Sequence, residues 1–306
     1  MQALARLLVI GTAGRLHTQR TAERYNDQDI YLTGGLLMEC KEPSFRKHIM
    51  WCKHDDKKVF GLAYLPAGAE QSFFSHELFP TVVMAHGLGS DHTHMDSYAQ
   101  LLASHGFVCY AIDFCGGSPS SKSDGSTTEM TVQTEKQDLL AAVKLMLDEP
   151  FVNKDALFLW GNSQGGYVSA MLAEELPDAF RGLVLLYPAF VLYDAARQRM
   201  ASGPAPREDE EVYGMWLSPA YLESLLARDP YASMASFDKK VLIVHGDADA
   251  VVPLAYSKRA AQTYPSAQLE LLVGAGHGFE GDNREQCAEL ALEFLRGALG
   301  AGGKQA

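Results

Sequence analysis

Short, almost wholly apolar runs alternate along this chain with longer stretches whose apolar positions recur every three or four residues. The short runs are Thr81–Ala85, Phe107–Asp113, Ala156–Trp160, Leu183–Tyr187, Val241–His245 and Leu269–Val273. Runs of this length and character predict strands covered on both faces. Helical spacing marks Ser97–His105, Thr131–Leu147, the segment from the end of Ala156–Trp160 to Leu176, Pro253–Tyr264 and Glu285–Leu299. In Thr131–Leu147 the apolar positions are 132, 139, 140, 143, 146 and 147, which share one helix face. Strands alternating with helices predict an α/β fold: a mostly parallel central sheet with helices on both faces. Ligand sites in such sheets lie at the carboxyl ends of the strands.

Two regions depart from the alternation. His48–Lys53 and Lys58–Leu65 predict a strand pair turning at Asp55-Asp56. Residues 1–44 show no usable pattern and are set apart as an N-terminal extension ahead of one domain, 45–306. Between Pro188 and Lys239 the alternation stops, and no strand is predicted. This stretch holds a charged run, Arg207–Glu211, and scattered aromatics, among them Tyr193, Tyr213, Trp216 and Tyr221. A connection of that length usually has a function. We expect a small helical cap insertion, about 189–239, over a pocket at the loop edge of the sheet.

Charge narrows the partners. Lys and Arg number 26 against 38 Asp and Glu, a net charge of −12, with no clustered basic face. That balance argues against nucleic acid, whose phosphates attract a basic surplus. No apolar run approaches the ~20 residues that span a bilayer, so no membrane partner is expected. Five cysteines, an odd count without a Cys-x-x-Cys pair, fit a reducing compartment. The apolar run Leu7–Ile10 is shorter than the roughly 7–15 residues of a signal peptide's apolar region. Cytoplasmic residence is therefore expected, with export the weaker alternative. A homodimer is left open.

The strongest chemical signal is Gly161-Asn-Ser163-Gln-Gly165, set between a predicted strand and a predicted helix. Turning from strand to helix in so few residues strains the central residue and favours glycine two positions to either side. The hydroxyl of Ser163 is then held clear of the backbone, at the amino end of a helix. A serine hydroxyl needs a base to become a nucleophile. His277, in Gly274-Ala-Gly-His-Gly278, follows the last strand and so lies on the same sheet edge. An acceptor must orient that imidazole. Asp247 and Asp249, in His245-Gly-Asp-Ala-Asp-Ala-Val-Val-Pro253, both qualify, and residue chemistry alone leaves the two open. The amides of Gln164 and of Leu88, in His86-Gly-Leu-Gly-Ser90, are the expected oxyanion donors. Trp216 and Tyr213 are candidates to line a substrate pocket.

The order Ser163, Asp249, His277, preceded by the His-Gly-Leu-Gly loop, resembles the α/β-hydrolase superfamily over residues 45–299. Gly-Asn-Ser-Gln-Gly-Gly, His-Gly-x-x-Asp-x-x-Val-Pro and Gly-x-Gly-His-Gly-Phe resemble the bacterial cinnamoyl/feruloyl esterase-like serine hydrolases. The resemblance implies the α/β-hydrolase fold, Asp249 as the triad acid, and a cap where Pro188–Lys239 lies. It implies hydrolysis of small-molecule carboxylic esters, of aromatic (hydroxycinnamoyl) or short-chain acids, without metal or organic cofactor. Thioesterases, lipases and serine peptidases use the same groups. A peptidase of this kind often carries a large extra domain, for which the sequence leaves no length. Two readings of another class are a non-catalytic binding protein and a zinc hydrolase. The zinc reading rests on His92-Thr-His94-Met-Asp96, whose His-x-His-x-Asp spacing matches that of metallo-β-lactamase-like enzymes.

Overall fold

The computed structural model describes residues 44–71, 76–203 and 206–300, so residues 1–43 of the expected N-terminal extension lie outside the described residues. The strand pair is present as β1 (Phe45–His54) and β2 (Lys57–Pro66), followed by β3 (Phe79–Ala85), helix α1 (Asp96–Ser104), β4 (Val108–Ile112) and α2 (Val132–Asp148). Next come β5 (Val152–Asn162), α3 (Gln164–Glu175) and β6 (Gly182–Leu186). The last units are β9 (Lys240–Gly246), α6 (Leu254–Thr263), β10 (Ala267–Leu272) and α7 (Gly281–Leu299). No helix among the described residues is long and apolar enough to cross a membrane.

The eight strands form one sheet in the order β1-β2-β4-β3-β5-β6-β9-β10. Within this sheet β1–β2 and β2–β4 pair antiparallel, and the other five pairings are parallel. The apolar runs are explained by burial on both faces. In β3, Val83 and Ala85 belong to one core and Val82 and Met84 to the other; in β5, Leu157 and Leu159 face opposite Phe158 and Trp160. Leu139, Val143 and Met146 of α2 cover the first face. Tyr98 and Leu102 of α1, with Cys287, Ala291 and Leu295 of α7, cover the second. All four cysteines among the described residues are free and buried.

The last helix and the insertion differ most from expectation. The last helix starts at Gly281, not Glu285, because Gly281-Asp-Asn reads as a turn while Asp282 in fact favours the helix's positive end. The stretch between β6 and β9 is not all helical. It holds α4 (Val191–Ala201), a hairpin of β7 (Glu210–Val212) and β8 (Met215–Leu217), then α5 (Pro219–Leu226). The hairpin escapes the pattern because its strands are three residues long and one begins Glu-Glu. Its two-residue turn, Tyr213-Gly214, has positive φ at both positions (51° and 78°), the geometry of a tight hairpin turn usually signalled by Asn-Gly.

Candidate active site

Ser163 stands where β5 ends and α3 begins, with φ 51° and ψ −117°. Such a backbone is costly for a residue with a side chain and persists only where its neighbours fix it. Here the amide of Ser163 donates to Leu186 O at 2.9 Å, continuing the β5–β6 ladder, while its carbonyl accepts from Ala189 N at 2.9 Å. The flanking glycines are dictated by space. A Cβ on Gly161 would lie 2.2 Å from Gly165 O, and one on Gly165 would lie 2.3 Å from both Ala85 O and His86 O. Next to Ser163, Asn162 Oδ1 accepts from the indole of buried Trp160 at 2.8 Å.

The residues expected from three distant stretches meet at this edge. Nε2 of His277 lies 3.0 Å from Ser163 Oγ, and Nδ1 donates to Asp249 Oδ2 at 2.8 Å. That donation fixes the tautomer in which Nε2 is free to accept a hydrogen bond from Ser163 Oγ. The Asp249 carboxylate is fully buried and His277 is 21% exposed. Asp249 Oδ1 accepts from the amides of Val251 and Val252, each at 2.8 Å. Asp247 is exposed and instead accepts from Gly274 N at 2.6 Å, tying together the two loops that carry the acid and the imidazole.

Several supporting groups carry no distinctive sequence signal. His245 lies under the acid, its Nε2 3.4 Å from Asp249 Oδ2. It donates from Nε2 to Val252 O (2.9 Å) and accepts at Nδ1 from Ser257 (2.7 Å). Burial pulls its pKa down, so a neutral ring packs against the carboxylate. Tyr187, itself at φ 37°, sets its ring edge-on to His277 with centroids 4.8 Å apart, and Phe279 backs Tyr187 at 4.8 Å. Contacts of this kind hold the imidazole plane.

The loop after β3 passes close to Ser163. A Cβ on Gly87 would lie 3.1 Å from the Ser163 Cβ, so only glycine passes without displacement. His86 is fully buried and held neutral by burial. It accepts at Nε2 from Phe114 N (3.1 Å) and donates from Nδ1 to Gly87 O (2.8 Å), which anchors the loop. Gly89 N donates to Gly117 O and Ser90 N to Gly87 O. The amides of Leu88 and Gln164 meet no protein acceptor among the described residues. Gln164 directly follows Ser163 and opens α3, so the positive end of that helix lies at the turn.

The hairpin sits beside this loop: the Met215 sulfur and methyl would lie 3.6 Å from a Cβ on Gly89. Its period of two turns Met215 and Leu217 inward and leaves Trp216, paired with Glu211, on the outer side. Trp216 is 56% exposed, and Tyr213 at the turn is 82% exposed. The inward apolar residue next to the loop after β3 is thus Met215, while the two aromatics that the sequence suggests point outward or sit at the exposed turn.

The cluster His92, His94 and Asp96 does not converge. His92 is buried and donates from Nδ1 to Asp113 Oδ1 at 2.7 Å, whereas His94 is exposed. Asp96 accepts from Tyr64 and Lys47. The reason is local: these residues form a turn of 3-10 helix leading into α1, which fans their side chains apart. Among the described residues, a different trio, Asp91, His92 and Asp113, brings its ligand atoms within 4.8 Å. Its atoms already hold protein partners: Asp91 accepts from Thr93 and Ser120, and Asp113 from His92 and Lys122 N. Burial works against both charges, but these bonds outweigh it and hold Asp91 at about 2 and Asp113 below its usual value. The trio is a polar tie between loops.

Comparisons with known proteins agree with this architecture. Residues 93–302 match the model of the prolyl oligopeptidase family. Est1E from Butyrivibrio proteoclasticus, solved with ferulic acid bound, is 24% identical with a TM-score of 0.73; the match covers 82% of this chain and 99% of that one. Two curated relatives match over shorter stretches. A non-heme chloroperoxidase, CPO-A1, of Kitasatospora aureofaciens is 41% identical over 66 residues, and a putative carbamate hydrolase, RutD, of Caulobacter vibrioides is 34% identical over 79. Those matches cover 20% and 26% of this chain, and the chain spans only 24% and 29% of the two relatives' lengths. The sheet order, the elbow at Ser163 and these matches describe one fold, the α/β hydrolase.

Proposed function

The chain belongs to the prolyl oligopeptidase family, and from that premise we propose that it is a serine hydrolase cleaving carboxylic esters through an acyl-enzyme on Ser163. The observation that carries this reading is the unbroken line Ser163 Oγ, His277, Asp249, with spacings of 3.0 and 2.8 Å. In the first half-reaction Ser163 Oγ attacks the ester carbonyl while His277 Nε2 takes the hydroxyl proton. Asp249 stabilises the imidazolium and keeps its orientation. The amides of Leu88 and Gln164 receive the oxyanion. His277 then delivers its proton to the leaving oxygen as the ester bond breaks. In the second half-reaction water gives a proton to the same nitrogen, attacks the acyl carbon and releases the acid, and the proton returns to Ser163. No step calls on a metal or an organic cofactor.

Aromatic (hydroxycinnamoyl) and short-chain acyl esters are the substrate classes we place first. Two features support that order: the sequence motifs shared with feruloyl esterase-like proteins, and the solved structure of Est1E with ferulic acid. Cleavage of peptide bonds by the same groups is the second reading, favoured by the family whose model matches. A substrate panel separates the two. We expect p-nitrophenyl esters and methyl hydroxycinnamates to be turned over at least tenfold faster, in kcat/KM, than peptidyl p-nitroanilides. The reverse order would replace the esterase reading with the peptidase one.

A further inference from the structure

A buried polar connection runs from the insertion into the nucleophile turn. Tyr221, on α5, donates its hydroxyl proton to Gln164 Oε1 at 2.5 Å. Gln164 Nε2 donates in turn to Glu135 Oε2, on α2, at 2.8 Å. All three side chains are buried. A second bond joins the same two helices, from Val132 N to Ser224 Oγ at 3.3 Å. Gln164 is the residue directly after the strained serine. Its side chain is gripped at both ends by groups from outside the turn, the kind of constraint that a strained peptide needs to stay in place.

We propose that Glu135 and Tyr221 are positioning residues: by holding both ends of the Gln164 side-chain amide, they fix its backbone amide against the oxyanion and couple it to the seating of the insertion. The inference rests on the proposed roles of Ser163 as nucleophile and Gln164 as oxyanion donor. Its electrostatics favour a neutral Glu135. Burial pushes this carboxyl up to about 8; the bond from Gln164 opposes the rise and Asp138, one turn along α2, adds to it. Asp138 is itself paired with His54 of β1 and accepts from Cys115 N. From α5 the facing group is the Tyr221 hydroxyl, which burial keeps protonated. Ionised, Glu135 would place a negative charge behind the oxyanion site in a low-dielectric interior and oppose the developing charge.

The test uses the full chain, p-nitrophenyl acetate and pH values from about 6 to 9.5, with Y221F, E135A and E135Q. Losing one such hydrogen bond is expected to lower kcat about five- to tenfold in Y221F and E135A while KM stays within about twofold. E135Q restores most of what E135A loses, because a neutral amide oxygen still accepts from Gln164. Wild-type kcat declines above pH about 8, and in E135Q that decline is absent. Wild-type kcat in both Y221F and E135A, or the same alkaline decline in E135Q as in wild type, would overturn the positioning role. If E135A fails to fold, Y221F and the alkaline limb of E135Q decide. Labelling with a fluorophosphonate keeps the two failures apart. An unlabelled wild-type Ser163 sinks the nucleophile assignment, whereas a labelled one beside unchanged variants sinks only the role of Glu135 and Tyr221.

Discussion

At Ser163 the chain holds a backbone of φ 51° and ψ −117°, and glycines stand at 161 and 165, where a Cβ would collide with backbone. The Gly165 Cα lies against the carbonyls of Ala85 and His86, so a methyl group there meets backbone that cannot move aside. Gly165→Ala is therefore expected to abolish soluble, folded protein or cost several kcal/mol of stability, as overpacking against main chain does; a melting curve like that of wild type would contradict this. Ser163→Ala should leave the fold intact and lower kcat by roughly 10⁴–10⁶-fold, by analogy with other triads. The two aspartates offer a sharper comparison. Asp249 is buried, with His277 on one oxygen and two amides on the other, while Asp247 is exposed and only links two loops. Asp249→Asn should lose about 10⁴-fold in kcat through the wrong imidazole tautomer, and Asp247→Asn far less. Equal losses in the two variants would leave the choice of Asp249 without support.

Among the elements, α2 carries the clearest local signature. Thr131 accepts from Thr134 N at 3.1 Å and Thr134 Oγ1 accepts from Thr131 N at 2.9 Å, a reciprocal cap. Thr131→Ala is expected to cost about 1 kcal/mol. The melting temperature should fall roughly 2–4 °C in a domain of this size, and an unchanged melting temperature would show the cap to be dispensable. How much of each element is legible in the sequence follows from how it is buried. Strands β3, β5, β6 and β9 are covered on both faces, and their unbroken apolar runs announce them; β10, an edge strand with Leu271 in water, starts two residues before its apolar run does. The turn at Ser163 is legible because its glycines are required by distances near 2 Å. The hairpin is not, since three-residue strands show almost no period. The contacts of His245, Tyr187, Glu135 and Tyr221 are not legible either, because each is made only after folding, between residues far apart in sequence or across a loop.

Across the whole molecule, two buried carboxyls set a dependence of stability on pH. Burial pushes Glu135 up to about 8. It pushes Glu174 up to about 7, against the opposing pull of Arg228 and Tyr264. Both groups hold their proton more tightly folded than unfolded, where a glutamate titrates near 4.5. Their favourable contribution is complete below that pH and is lost as pH rises through about 7 and then 8. The urea midpoint should therefore fall from pH about 5.5 to 8.5, and fall less steeply in Glu135→Gln; parallel slopes would show that Glu135 titrates normally. Activity should survive prolonged treatment with a metal chelator, since the proposed chemistry runs on a hydroxyl, an imidazole and a carboxylate; loss on chelation, with recovery on added zinc, would favour the metal reading instead. The most direct test of the central claim is mass spectrometry of the chain after reaction with a fluorophosphonate. One adduct is expected, on the peptide carrying Ser163, absent from Ser163→Ala and formed far more slowly by His277→Ala. An adduct on any other residue, or labelling of Ser163 at the same rate without His277, would contradict it.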